Sequence, residues 1–403
     1  MASSLSNYFA RDWYQGPLIS ALLAGYYVLR SRNILFTKTH IIIITILVFY
    51  FSTTFVLFQK ININYALGII LRITAIFWAL RILQFNFFIA FEKIVSFLAL
   101  VSIILYPFQF YIFDPLFNSI KSINDLFPFF FYEADNMASI IIFNLKSEAI
   151  FRNSGFMWEP GAFAALLLIS MMLNMIFNKF QINKGLIIQF IALLTTLSTM
   201  GYLGLTIILL FYYLNNPGKI KLLITIFILP TVIFMLFNFS FVMDEVFKEY
   251  NNVGNVIDYA YTATNYKYTS LGRMGSFVMD VRDLKKSPVL GIAGNVSLMT
   301  QPYSETMVIN RTCGLSNYLL TFGLLGFYLL IYNLYNTSQK LKAYFNFKAG
   351  YLFVVVILFL SFSNTILETF IFLGFQIFYL TLNLKYINIQ DEYTRNANRP
   401  ISS

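Results

Sequence analysis

The sequence predicts an all-α protein, a polytopic membrane helical bundle of about 11 transmembrane helices with two long extracytoplasmic loops. Three observations predict it. Of the 403 residues, 58% are hydrophobic and only 11% charged, whereas a soluble domain carries roughly 25% charged residues. Apolar runs of about 20 residues recur, each long enough to cross a hydrocarbon core of about 30 Å as a helix. Lys and Arg gather in the short segments between runs, as cytoplasmic loops do. The runs are continuous rather than alternating, which reads as helix and not as barrel strand.

In chain order the expected spans are 18–29, 41–58, 65–83, 91–113, 160–177, 186–197, 201–214, 222–242, 315–335, 351–363 and 367–384. They define N-terminal helices (1–113), a first long loop (114–159), central helices (160–242) and a second long loop with an amphipathic helix (243–314). C-terminal helices (315–384) and a cytoplasmic tail (385–403) follow. The basic residues fix the count. Lys179, Lys184, Lys219 and Lys221 all lie inside only if 186–214 crosses twice as a hairpin. Lys340, Lys342, Lys348 and Lys385 require two crossings in 351–384 for the same reason. This arrangement puts the N-terminus outside, and no cleaved signal peptide is expected, because MASSLSNYFARDWYQGP lacks a basic start followed by an apolar core.

The formal charge of +10 follows largely from this orientation and from contact with anionic lipid. The basic residues are scattered rather than clustered, which argues against a nucleic-acid partner. The single Cys313 forbids an intrachain disulfide, and the single His40 falls in an inside loop. A His-based metal site or triad on the outer face is therefore excluded, and no metal or cofactor is expected. No Walker, dinucleotide or zinc pattern is present.

Four places carry the polar chemistry. RNSGFMWEPG, residues 152–161, starts the fifth span with Pro160 at the first helical position and Glu159 against the helix dipole. One reading is a capped helix with Trp158 in the interfacial belt. The other puts Arg152 and Glu159 side by side at an anion-binding helix terminus, with Arg gripping phosphate and Glu accepting a hydroxyl proton. GRMGSFVMDVRDLKKSPVLGIAGN, residues 272–295, places Arg273 and Asp280 on one helix face, with Phe277, Val281 and Leu284 as an apolar stripe. Arg282, Lys285 and Lys286 then face lipid headgroups, and Gly291 and Gly294 form a flexible turn. LSNYLLTFGLLGF, residues 315–327, begins the ninth span, where Ser316 and Asn317 cap the helix or contact a polar ligand. Its Gly323 and Gly326 read as close helix packing. Arg72, deep in the third span, needs a polar cavity; Glu368 is a candidate partner, though no sequence pattern pairs the two. Arg81 is nearer the inner end and snorkels.

RNSGFMWEPGAFAALLL, LTTLSTMGYLGL, GRMGSFVMDVRDLKKSPVLGIAGN and SNYLLTFGLLGF, taken in this order, resemble the bacterial O-antigen and capsule repeat-unit polymerases of the O-antigen ligase-like superfamily. The resemblance covers residues 150–330; the first 110 match only as hydrophobic spans. Where ligases have His before the Asn of the last motif, this chain has Ser316, and its hairpin turn reads Ser198-Thr199-Met200-Gly201 where ligases tend to carry Arg. Both departures favour a polymerase.

The resemblance implies a metal-independent, GT-C-like integral membrane glycosyltransferase. It would move a growing chain from undecaprenyl pyrophosphate onto a new undecaprenyl-pyrophosphate-linked repeat unit, building O-antigen or capsular polysaccharide. Glu159, Arg152 and Arg273 would be catalytic, and Arg72, Arg282, Asp280, Ser316 and Asn317 would bind pyrophosphate or glycan. The partners would be lipid-linked glycans, membrane lipids and a chain-length regulator protein. The place would be the bacterial inner membrane, with the site extracytoplasmic. Fixed cations would stabilise the departing pyrophosphate. The rival readings are a ligase acting on a lipid core and, from another class, a lipid-linked oligosaccharide flippase or other transporter.

Overall fold

The computed structural model describes residues 15–31, 35–126, 137–140, 142–146, 151–215, 269–270, 272–299 and 309–381. The expected span 222–242, Lys219, Lys221, the C-terminal tail and large parts of both long loops lie outside the described residues. The described chain is an all-α membrane-type bundle with two small two-stranded ladders. The helices are α1 (Gln15–Arg30), α2 (Lys38–Phe58), α3 (Ile63–Leu83), α4 (Phe85–Tyr111), α5 (Phe113–Leu126), α6 (Pro160–Phe177), α7 (Lys184–Thr195), α8 (Thr199–Asn215), α9 (Arg273–Leu284), α10 (Gly314–Phe345), α11 (Tyr351–Ser363) and α12 (Phe370–Thr381). Strands β1 (Met137–Ile140) and β2 (Phe143–Lys146) pair antiparallel, and β3 (Thr269–Ser270) pairs parallel with β4 (Ile309–Asn310).

Five helices (α2, α3, α4, α6 and α10) are long and apolar enough to cross a membrane, and α7, α8, α11 and α12 are shorter apolar helices. The 186–214 segment is two helices, α7 and α8, joined at Thr196–Ser198. The 351–384 segment likewise divides into α11 and α12. Two spans run past their predicted limits by more than a helical turn. The α4 helix starts at Phe85 rather than at residue 91, and α10 continues to Phe345 rather than stopping at 335. Apolar runs end at the first polar cluster, such as Glu92-Lys93 or Asn336-Thr337, but a helical hydrogen-bond ladder does not.

At the centre stands α6, buried from Pro160 to Ile176. A helix apolar all round belongs in such a place. Its small residues set the packing distance. A Cβ at Gly201 of α8 would lie 2.9 Å from the Ala164 Cβ, and one at Gly204 would lie 2.6 Å from Leu168 Cδ1. These contacts make α6 and α8 parallel. Leu360 of α11 also meets Gly204, while Asn364 just beyond α11 meets Gly161, so α11 runs antiparallel to both.

Two ends of the bundle result. At one, α6 and α8 begin, α11 ends, α3 begins at Tyr65 beside Glu368, and α4 ends with Tyr106 donating to Phe151 O. At the other, the Asn215 amide donates to Lys348 O, Phe180 packs on Phe211 and Phe347, Phe85 stacks on Tyr344, and Trp78 donates to Leu35 O. The basic residues Arg30, Lys38, Lys179, Lys184, Lys340, Lys342 and Lys348 thus gather at one end. Segments 151–159 and 272–295, from the two long loops, gather at the other.

The α10 helix is not continuous. Gly323 has φ +66° and ψ −172° inside it, a region open essentially to glycine alone. The segment 288–293 repairs the break. Ile292 and Ala293 N–H donate to Leu320 O and Thr321 O at 2.9 Å each, and Leu324 and Leu325 N–H donate to Pro288 O and Val289 O at 2.9 and 3.1 Å. The Tyr50 hydroxyl lies within hydrogen-bond distance of Leu290 O (2.8 Å) and Thr321 O (2.7 Å). Backbone groups freed inside a membrane bundle need such partners. Two expectations are corrected here. Gly323 breaks the helix rather than serving close packing, and Gly291, expected in a flexible turn, is buried at φ +70° against the backbone of Leu320, Thr321 and Gly323.

Candidate functional site

The segment before α6 is held in place by its own polar side chains. Asn153 donates to Ser102 Oγ at 3.2 Å on α4 and to Thr195 Oγ1 at 2.8 Å on α7, and it accepts the Gly155 N–H. Asn144 of β2 donates to Met157 O at 2.9 Å. The chain therefore reaches α6 in a fixed path. Glu159 is the N-cap residue with extended backbone, and Pro160 is the first helical residue, as the dipeptide predicts. The Glu159 carboxylate makes no capping hydrogen bond.

The turn between α11 and α12, residues 364–369, is the hub of this end. Arg273, first residue of α9, donates from Nε to Ser363 O at 3.1 Å, and its Nη2 is 3.7 Å from where a Gly161 Cβ would stand. The Asn364 amide is equally close to that point, and Gly314 at the start of α10 lies against Asn364 O. Three helix ends and one arginine therefore meet at Asn364. Asn364 Oδ1 and Ser363 Oγ are buried and have no hydrogen-bond partner among the described residues. Unpaired buried acceptors are rare in folded proteins, and here they sit beside a guanidinium and a helix N-terminus.

Below the hub, Glu368 accepts from the Tyr65 hydroxyl at 2.9 Å and lies within electrostatic reach of buried Arg72. Tyr318 of α10 and Gln376 of α12 close this cluster: the Tyr318 hydroxyl donates to Gln376 Oε1 at 3.4 Å, and Gln376 donates to Leu367 O at 3.0 Å. Arg72 thus occupies the polar environment that its depth requires.

The amphipathic reading of α9 needs correction. Val281 is exposed, Phe277 is half-buried against Phe362, and the buried face is Gly275, Ser276, Met279, Asp280, Asp283 and Leu284. The helix buries its acids because Arg311 receives them. Arg311 Nη1 donates to Asp280 Oδ1 at 2.8 Å, and Nη2 donates to Asp283 Oδ2 at 2.6 Å. Ser316 donates to Asp280 Oδ2 at 2.5 Å, so it clamps α9 to α10 rather than capping α10. The N-cap there is Cys313, which makes no side-chain cap bond. Asn317 follows, half-buried, in the first turn. Burial pushes the Asp280 carboxyl above the usual carboxylate range, opposed in part by its bonds from Ser316 and Arg311. Arg282 is exposed on the far side of α9, as its spacing predicts.

Arg152 belongs to the same end but to other partners. Its Nε donates to Thr196 O at 3.3 Å in the α7–α8 turn, and its charge is felt by Tyr202. No described contact joins it to Glu159 or Arg273. The structure therefore brings together Arg273, Asn364, Ser363, the start of α6 and, one turn below, Glu368, Tyr65 and Arg72. Asp280 and Ser316 act as supports, and Arg152 stands apart.

Sequence reasoning missed Arg311, Asn364 and Ser363. Arg311 carried one usable signal: it is a charged residue three positions before an apolar span, facing an acid-bearing helix. Asn364 interrupts an apolar stretch between two spans, which marked a turn but not a site. Chemically, a guanidinium at a helix N-terminus suits an anion with several oxygens. Buried acceptors beside it suit hydroxyl donors, and a carboxylate at the helix start suits proton removal. No known protein family, curated protein or solved structure was found to match this chain.

Proposed function

We propose that this chain is a membrane glycosyltransferase that polymerises undecaprenyl-pyrophosphate-linked oligosaccharide repeat units into O-antigen or capsular polysaccharide. In this reading eleven spans cross a bacterial inner membrane and the Arg273 end faces outward. The observation that carries it is the meeting of Arg273 with the N-terminus of α6 beside two unpaired buried acceptors, Asn364 Oδ1 and Ser363 Oγ. A sugar pyrophosphate presents both chemistries at once, an anion for the arginine and hydroxyls for the acceptors. Arg273 and the α6 dipole would stabilise the charge that develops as the pyrophosphate leaves. Glu159 would take the proton of the attacking hydroxyl. The new glycosidic bond forms at the anomeric carbon as its bond to the pyrophosphate oxygen breaks.

One observation favours a second reading, a lipid-linked oligosaccharide transporter. The α10 helix is broken at Gly323, a feature that transporters share. The deciding experiment incubates purified protein in proteoliposomes with lipid-linked repeat unit. A ladder of lengthened glycans with release of undecaprenyl pyrophosphate is expected. Movement of the repeat unit across the bilayer with no lengthening would replace the first reading with the second.

A further inference from the structure

The other end of the bundle holds a separate polar cavity. It lies between α4, α6 and α7, has a volume of about 390 Å³, and is lined by Glu92, Lys93, Ser96, Asn174, Asn178 and Asn183, among others. Glu92 is 8% exposed. Its Oε1 accepts from Asn174 Nδ2 at 2.6 Å, Ser96 Oγ at 2.8 Å and Gln189 Nε2 at 3.1 Å. Its Oε2 makes no hydrogen bond, and no cation pairs with it, among the described residues. A carboxylate held only by neutral groups, at the wall of a cavity, is a ready partner for a cationic donor.

The oxygens left over define what that is. Asn174 Oδ1 is taken by Asn183 and Asn178, and Asn183 Oδ1 caps α7 through the Leu186 N–H. Glu92 Oε2 and Asn178 Oδ1 remain as acceptors. Hard divalent cations need about six or more oxygens, whereas an ammonium group brings three donors and no acceptor. The cavity is also far larger than one ion requires, since a water occupies about 30 Å³. Lys93, exposed and next in sequence to Glu92, lines the same cavity. The same two helices carry exposed apolar side chains, Ile94 and Phe97 on α4 and Ile187, Phe190 and Ile191 on α7.

We propose that this cavity binds a primary-amine phospholipid headgroup, with the ammonium on Glu92 Oε2 and Asn178 Oδ1, the phosphate on Lys93, and the acyl chains along the apolar faces of α4 and α7. The test is native mass spectrometry of the whole protein with equimolar phosphatidylethanolamine, phosphatidylcholine and phosphatidylglycerol. Phosphatidylethanolamine should be retained about tenfold over phosphatidylcholine, the worth of one charge-assisted hydrogen bond. Glu92→Gln should bring the two lipids level. Lys93→Gln, at an exposed position and so safe for folding, should weaken both lipids and keep their ratio. Equal retention by the unaltered protein, a preference that survives Glu92→Gln, or no effect of Lys93→Gln would each overturn the proposal. Soluble phosphoethanolamine is the last arm: it should not displace the lipid, and displacement at matched concentration would assign the cavity to a free phosphorylated amine instead.

Discussion

At the Arg273 end, Asp280 and Asp283 share one arginine, Arg311, at 2.8 and 2.6 Å; at the other end, Glu92 is held by two amides and a hydroxyl and forms no ion pair among the described residues. Both sets of carboxylates are buried, but they are neutralised in different ways. The first arrangement is closed. Arg311 and Ser316 consume acceptors of Asp280 and Asp283, so these acids tie α9 to α10 and offer little to a ligand. The second is open, with one oxygen left toward a cavity. A buried acid by itself does not mark a site; the state of its second oxygen does.

The largest effect should come from unpairing the closed cluster. Arg311→Met leaves the buried Asp280 without its cation and Asp283 with Lys286 alone, at 3.0 Å, and removal of one partner of a buried pair costs about 3–5 kcal/mol. Thermal unfolding in detergent should show a large drop, partly restored when Asp280→Asn is added. A single variant as stable as the parent would break the contrast between the two ends.

Next in size is Arg273→Lys. Arg273 uses Nε on Ser363 O while Nη2 points at the start of α6, and a lysine has one nitrogen to do both. Loss of a donor at a developing charge costs about a hundredfold to a thousandfold in rate. If the proposed function holds, polymerisation of purified lipid-linked repeat unit should fall by that order for Arg273→Lys and far less for Arg282→Lys, whose side chain is exposed. If Arg282→Lys is the more damaging, the active face of α9 is the other one.

A smaller, pH-dependent effect belongs to Asp280. Burial raises the Asp280 pKa in the folded protein, so the folded state holds its proton more tightly than the unfolded state. Stability from this group is then greatest at acid pH and is lost as pH rises through the raised value. Relative to Asp280→Asn, the parent should lose stability from the ordinary carboxylate range upward. A parent-minus-variant difference that grows with pH would reverse the sign.

The smallest effect should be that of Glu92→Gln on folding. Glutamine keeps the carbonyl that receives Asn174, Ser96 and Gln189 and places an amide toward the cavity, so the change in stability should be about 1 kcal/mol or less. A loss as large as that of Arg311→Met would mean that the open end is held by its charge after all.

The sequence made some of these features legible and hid others for identifiable reasons. The limits of α6 were readable because Glu159-Pro160 states a helix start in two residues and Phe177 ends an unbroken apolar run. The division of 186–214 into two helices, α7 and α8, matches the expectation drawn from lysines on both flanks, of which Lys219 and Lys221 lie outside the described residues. The break at Gly323 was not, because a glycine in an apolar helix looks the same whether it admits a neighbouring helix or an inserted loop. Asn364, Arg311 and Glu92 were overlooked because their meaning lies in partners 28 to 203 positions away, and no local pattern encodes those. Arg72 and Glu368 could be named as candidates, but only the packing of α3 against the α11–α12 turn brings them together.

The patched break in α10 also works as a depth gauge. From Leu324 to Lys342 the helix rises about 27 Å at 1.5 Å per residue, close to the roughly 30 Å thickness of a hydrocarbon core. Lysines near a helix end reach for the headgroups, so Lys342 marks one boundary and Gly323 falls near the other. The inserted segment 288–293 then lies at the rim of the membrane rather than at its midplane. On the proposed function, a lipid-linked substrate would meet Arg273 where its isoprenoid tail stays in the lipid and its polar head has already emerged.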